Sequence, residues 1–239
     1  MAVDRSSNRS TDETLAARLD DALPQTQCRR CGYPSCRDYA HAIADGLADI
    51  DRCPPGGSEG ISRLSRLTGR PAIPLNADCG AEGPRKVAWI VEAHCIGCTL
   101  CMAACPVDCI VGAPKRMHTV IEDECTGCEL CVPACPVDCI ELEDATPGRS
   151  GWQAWSAEQA LASKARFHLR ESRLVRLAHQ NDERLAAKAK HELDDLAAAS
   201  AITDDAALER KRRLVEAALE RVRDRATAAP MPSPDGKIK

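Results

Sequence analysis

Aromatic residues are scarce in this 239-residue chain, at 3% of the total: three Trp, two Tyr and one Phe. Much of the aliphatic weight is Ala, so a large apolar core able to support the whole chain is excluded, and something else must hold part of it together. No run approaches the roughly 18 apolar residues that a membrane-spanning helix needs; the nearest candidate is the short Val87-Ala88-Trp89-Ile90-Val91. Met1 to Gln27 contains no apolar stretch of signal-peptide type, which argues against an oxidising compartment and hence against disulfides. A basic excess is also missing. The net charge is −4, and Lys86 to Asp144 holds three basic against ten acidic residues, which makes nucleic acid an improbable partner for that span. A redox protein with a basic docking surface suits it better, through salt-sensitive association.

What the chain does have is cysteine, fifteen of them, an odd number. Reduced, closely spaced cysteines point to metal. Their arrangement contains an internal repeat. The segment His94 to Ile110 returns thirty residues later as Glu124 to Ile140, with twelve of seventeen positions identical. Each copy reads C-x2-C-x2-C-x3-C-P, the bacterial ferredoxin run in which the fourth cysteine ligates the other cluster. The spacing assigns one four-iron cluster to Cys95, Cys98, Cys101 and Cys135, and a second to Cys125, Cys128, Cys131 and Cys105. Three thiols two residues apart wrap a tight loop round a cluster. A short helix from the third cysteine then carries the fourth away to its neighbour, and Gly97 and Gly127 are expected to let backbone N–H groups approach the sulfurs. Zinc sites use two separated pairs, so a third cysteine at the same interval, a fourth before proline and a full duplication all favour clusters.

Short strands are expected at Val87–Val91 and His118–Ile121 before the repeats, and at Ile110-Val111 and Ile140–Leu142 after them. The fold class predicted is α+β: a small four-iron-cluster domain, a ferredoxin-like domain with a pseudo-twofold repeat, and a C-terminal α-helical hairpin. Cys109 and Cys139 precede isoleucine in matching positions and read as small buried core thiols. Cys79 reads as a free thiol in a linker. His94 and His118 read as ordinary, partly exposed residues rather than ligands, and Asp108 and Asp138 as turn residues beside proline.

Upstream, Ser10-Thr11-Asp12-Glu13 has the form of a capping box opening a helix to about Leu23. Cys28, Cys31, Cys36 and Cys53 then form a second group, spaced C-x2-C-x4-C-x16-C. By spacing alone that group leaves zinc, partial ligation and a third cluster all open. Ser35 can cap a helix from Cys36 to about Asp45, with Tyr39, Ile43 and Leu47 on the thiol's stripe and Gly46 as its stop. A further helix is expected at Ile61–Thr68, stopped by Gly69. The organisation predicted is an N-terminal helical segment (1–27), an upstream cluster domain (28–69), a linker (70–84), a dicluster domain (85–145), the helical hairpin (152–229) and a disordered tail (230–239).

The stretches Leu23-Pro24-Gln25-Thr26-Gln27-Cys28, Cys31-Gly32-Tyr33-Pro34-Ser35-Cys36 and Cys53-Pro54-Pro55-Gly56-Gly57 resemble the B subunit of the Rnf/Rsx ion-translocating electron transport complex. So do Cys95–Cys101, Met117-His118-Thr119-Val120 and Asp123–Cys131, and the resemblance runs from about Leu15 to Asp144. It implies that Cys28, Cys31, Cys36 and Cys53 hold a third [4Fe-4S] cluster. It also implies that the chain relays single electrons between ferredoxin or NADH oxidation and a membrane complex coupled to ion movement, with no catalytic site of its own. Members of that family begin with a membrane-anchoring helix, whereas a charged segment stands first here. The expected location is therefore the cytoplasm, docked peripherally on the inner face of the bacterial inner membrane beside other subunits. The alternatives are a stand-alone soluble ferredoxin-like carrier, a zinc-stabilised interaction module, or an enzyme using one cluster for chemistry.

Overall fold

The computed structural model describes residues 14–194, 196 and 200–228. The proposed capping box at 10–13 and the tail at 230–239 lie outside them. The chain divides into two compact units, Met1–Phe167 and His168–Lys239.

In the first unit, a helix over 14–21 (α1) is followed by α2 (Cys36–Ala44) and α3 (Gly57–Thr68). Ser35 begins α2 as expected, its Oγ accepting from the Asp38 N–H at 3.1 Å. Tyr39 and Ile43 are buried on one face, but Leu47 is 78% exposed. The helix stops at Ala44 and Gly46 takes a left-handed φ of 74°, which turns Leu47 out of the stripe. Helix α3 starts four residues earlier than its periodicity suggests and ends at Gly69, left-handed at φ 71°. These helices bury Leu19, Leu23, Tyr39, Ile43, Ile50, Ile61 and Leu64 together with Cys31 and Cys53.

The segment 70–84 is tied down along its length. Arg70 donates from both terminal nitrogens to the carbonyls of Ala48 and Ile43, each at 2.8 Å. The Asn76 N–H reaches Asp51 O, and the Glu82 carboxylate accepts from Ser58 N–H and Ser150 Oγ. Its Pro and Gly content gave no sign of these long-range bonds.

The duplicated segment forms two small antiparallel ribbons. β1 (Lys86–Ile90) pairs with β4 (Ile140–Asp144), Ile90 facing Ile140; β2 (Ile110–Val111) pairs with β3 (Thr119–Val120), Ile110 facing Val120. The repeat symmetry extends to the joints, where Val91 N–H donates to Cys139 O and Ile121 N–H to Cys109 O, both at 2.8 Å. It fails after the third cysteine. The first repeat has the expected helix, α4 (Leu100–Ala104), whereas residues 131–134 form only a turn. Ala103 N–H donates to Thr99 O, and the matching residue is Pro133, which has no N–H to donate.

After a one-turn helix α5 (Gly151–Ala154) comes α6 (Ala157–Asp194), whose first eleven residues belong to the first unit. Trp155 Nε1 donates to Pro24 O at 2.8 Å, Ser163 Oγ to Gln25 O at 2.6 Å, and Lys164 pairs with Asp20 and Asp21. Phe167, the chain's single Phe, is buried in the dicluster core. The Pro-Gly boundary at 147–151 is therefore a turn inside this unit. In the second unit lie the rest of α6 and α7 (Asp205–Ala228), where Leu174, Leu177, Leu185 and Leu214 remain 45–68% exposed.

Candidate iron–sulfur sites

Three cavities open onto cysteine sulfur, and each is lined by one of the groups picked out by spacing. Site I is lined by Cys28, Cys31, Cys36 and Cys53. Site II takes Cys95, Cys98 and Cys101 from the first repeat and Cys135 from the second; site III takes Cys125, Cys128 and Cys131 with Cys105. Each of these two cavities therefore draws one lining cysteine from the other repeat. Cys109 borders site III and Cys139 site II, while Cys79, on a 3-10 turn at Ala77–Cys79, borders none of the three.

The residues present fit a four-iron cluster: each set is four soft thiolates lining the wall of one cavity, the donors that iron–sulfur clusters take.

The loops that carry the thiols alternate in handedness. Gly97 and Thr99 have φ of 71° and 66° on either side of Cys98, and Gly127 and Glu129 have 70° and 64° on either side of Cys128. Upstream, Gln25, Gln27 and Arg29 repeat the pattern at 58°, 54° and 61°. Alternation of this kind turns successive backbone N–H groups toward one side, the concave nest that receives anions and iron–sulfur clusters. A left-handed β-branched Thr is unfavourable unless its surroundings impose it, which marks these loops as functional. Gly97 and Gly127 have a second use besides the one expected. The Gly127 N–H reaches the Cys125 thiol, and in addition a Cβ at Gly97 would lie 2.5 Å from Arg116 N and one at Gly127 2.5 Å from Lys86 O, so glycine also admits a neighbouring backbone. Asp108 and Asp138, at φ 53° and 50°, are the turn residues predicted.

Site I rests on a relay of side-chain amides. Gln25 Nε2 donates to Asp20, Gln27 Nε2 to Gln25 Oε1 at 2.9 Å, and Gln27 Oε1 accepts from Cys36 N–H at 2.9 Å. Both glutamines are 2% exposed. Two buried amides in Leu-Pro-Gln-Thr-Gln could have been suspected from their place beside the first cysteine, but their partners could not.

Burial raises the pKa of most of the thiols. Desolvation pushes Cys31, Cys36 and Cys53 up, and takes Cys128 and Cys131 each to about 12. A bound metal must supply the positive charge that lets them ionise, so binding releases protons. Cys105 and Cys125 move the other way, to about 7 and about 6, because the Cys109 thiol donates to each. Cys109 is correspondingly raised and stays protonated. It lies 3.4 Å from Cys105 Sγ, the same distance as Cys139 from Cys135 Sγ, and its N–H also reaches that sulfur at 3.4 Å. Both are buried thiols, as predicted.

His118 departs from expectation. It is 1% exposed, lines site II, and brings Nδ1 to 3.7 Å from Cys95 Sγ and 3.5 Å from Cys101 Sγ.

Sites I and III adjoin. Thr126 Oγ1 donates to Thr26 O at 2.9 Å in a buried bond, and Arg30 pairs with Glu129 at 2.8 Å.

Residues 88–142 match a family model described as a 4Fe-4S dicluster domain, and residues 23–55 match a second described as "Putative Fe-S cluster". Among curated proteins, the B subunit of the ion-translocating oxidoreductase complex from Azoarcus sp. (strain BH72) is 57% identical over 96 residues, covering 40% of this chain and 52% of the relative. The proteins of that name from Thiobacillus denitrificans and Serratia proteamaculans are 56% identical over 94 residues and 49% over 97, covering 39% and 41% of this chain and 50% of each relative. The chain spans about half the length of the curated relatives it matches. No solved structure matches it. It is a [4Fe-4S] protein with a dicluster ferredoxin-type domain, and its relatives across that stretch are ion-translocating oxidoreductase B subunits.

Proposed function

We propose that the chain is a one-electron relay with three [4Fe-4S] clusters, held by Cys28, Cys31, Cys36 and Cys53; by Cys95, Cys98, Cys101 and Cys135; and by Cys125, Cys128, Cys131 and Cys105. The observation that carries the reading is that three separate cavities are each lined by one such set, with one cysteine exchanged between the repeats. When bound, the clusters supply reversible one-electron storage. The chain's part is to hold them at fixed spacing, aim backbone N–H groups at sulfur and keep water off.

We read the order of the sites as II, III, I, because the Thr126 to Thr26 bond ties the loops of sites III and I and the exchanged cysteines tie site III to site II. Site II is the outer end. Ile96 and Leu100 beside it are 58% and 49% exposed, an apolar patch of the kind that meets a redox partner. The relatives' printed name favours, as that partner, other subunits of an ion-translocating oxidoreductase; we propose that this chain docks on them peripherally, at the cytoplasmic face of the membrane. No described helix is long and apolar enough to cross a membrane.

Anaerobic purification or reconstitution followed by iron and acid-labile sulfide analysis tests the reading. About twelve irons per chain, three four-iron centres, is the expected result. A colourless chain without sulfide that binds zinc would overturn it.

A further inference from the structure

Among the cross-strand pairs that line the sites, one changes polarity between the two halves of the dicluster segment. In the outer ribbon Ala88 lies opposite Leu142. Thirty residues on from Ala88 is His118, and thirty before Leu142 is Gly112. Continuing the register of Ile110 with Val120 and Val111 with Thr119 by one step sets Gly112 opposite His118. Each pair therefore joins one large residue to one small one, but on opposite strands and with opposite polarity. Ala88 and Leu142 both line site III, while His118 lines site II. Gly112 makes the room: a Cβ there would lie 2.3 Å from His118 Cδ2.

Nδ1 of His118 stands 3.7 Å from Cys95 Sγ and 3.5 Å from Cys101 Sγ. Thiolates that hold iron offer lone pairs and no proton, so the proton of this contact sits on Nδ1. Nε2 is buried and has no partner among the described residues. A hydrogen bond donated to a ligand sulfur stabilises the more negative, reduced form of a cluster and so raises its potential. The Cys109 and Cys139 N–H groups serve the two sites alike, reaching Cys105 and Cys135 Sγ at the same 3.4 Å, whereas site III has donors of its own in the Cys109 thiol and the Ala88 and Gly127 N–H groups, none of which is altered by a change at residue 118. Arg85 acts on site III, its Nη1 donating to Cys125 O at 2.8 Å, and is untouched by changes at residue 118.

We infer that His118 is a positioning residue that donates from Nδ1 to Cys95 and Cys101 and raises the reduction potential of site II alone, with Gly112 as the cleft that admits its ring. The inference rests on the ligand sets proposed above. No proton is transferred in the step: the electron comes from an external low-potential one-electron donor, and the hydrogen bond shortens or lengthens with the charge on sulfur.

The test is a dithionite titration of the iron-loaded full chain, followed by electron paramagnetic resonance, on the parent, His118→Ala, His118→Asn and Ala88→His/Leu142→Gly. In His118→Ala one centre is expected to shift so that, at a fixed poise, its ratio of reduced to oxidised forms falls at least tenfold, about 59 mV for one electron. The others stay in place. His118→Asn sets an amide N–H where Nδ1 was and recovers most of the shift, which a merely space-filling role would not. The double variant brings a donor to site III and raises a different centre. Unchanged midpoints in His118→Ala at full iron and sulfide content overturn the inference and leave the relay standing, as do equal shifts in the Ala and Asn variants. If His118→Ala loses iron, the double variant decides, and no rise in it is a refutation. A parent chain without iron and sulfide removes both the inference and the reading beneath it.

Discussion

The two cysteine-bearing regions of the first unit are held together by different means. Around site I the buried set is Leu19, Leu23, Tyr39, Ile43, Ile50, Ile61 and Leu64 with two cysteines, an ordinary apolar core to which thiols have been added. In the dicluster segment, seven of the fourteen buried core residues are cysteines and the strands are two to five residues long. The first region can bury enough hydrocarbon to hold its helices without metal. The second lacks that surface, and ligation has to provide what packing does not.

The largest effect expected from this contrast follows removal of iron. Anaerobic chelation should bring the amides of residues 86–144 to the exchange rate of an unfolded chain, while those of α2 and α3 keep most of their protection by hydrogen-exchange mass spectrometry. Equal loss in both regions would mean that site I depends on metal as much as the repeats do. A smaller effect tests the crossing. Cys135→Ser, combined with Cys139→Ala to remove the neighbouring thiol 3.4 Å away, should cost site II and about a third of the iron. The spectrum of site III, whose crossing thiol is Cys105, should survive; loss of the site III signal instead would refute the exchange of ligands. The smallest concerns packing. Leu19 is fully buried in the site I core, and Leu19→Ala should destabilise α1 to α3 by ~2–5 kcal/mol in thermal or denaturant unfolding. Iron in the dicluster segment should remain at its parent level.

How far the sequence could be read followed the same division. The dicluster fold was legible because its determinants are local: thiols at fixed intervals, a duplicated string and short strands on either side. The one local failure was the second short helix, and Pro133 in the motif already carried the reason. Site I was less legible, since its spacing suits zinc as well, and the residues that shape its loop act through bonds to distant partners, as with Gln27 to Cys36 and Ser163 to Gln25. The role of His118 was hidden for a geometric reason. Its position just before the two-residue strand β3 said nothing about burial until the facing Gly112 was placed beside it. The Pro-Gly stretch at 147–151 promised a domain boundary, yet the rare aromatics Trp155 and Phe167 lie beyond it and are both buried in the first unit.

The buried bond between Thr126 and Thr26, with the Arg30 to Glu129 pair beside it, ties the loops of sites I and III directly to each other. A carrier whose clusters sat on separately tethered lobes would have to wait for those lobes to swing together, and its internal transfer would slow in a viscous solvent. In the relay proposed above that step needs no collision, so viscosity and ionic strength are expected to act on the encounter with the partner and to leave the passage of charge inside the chain unaffected.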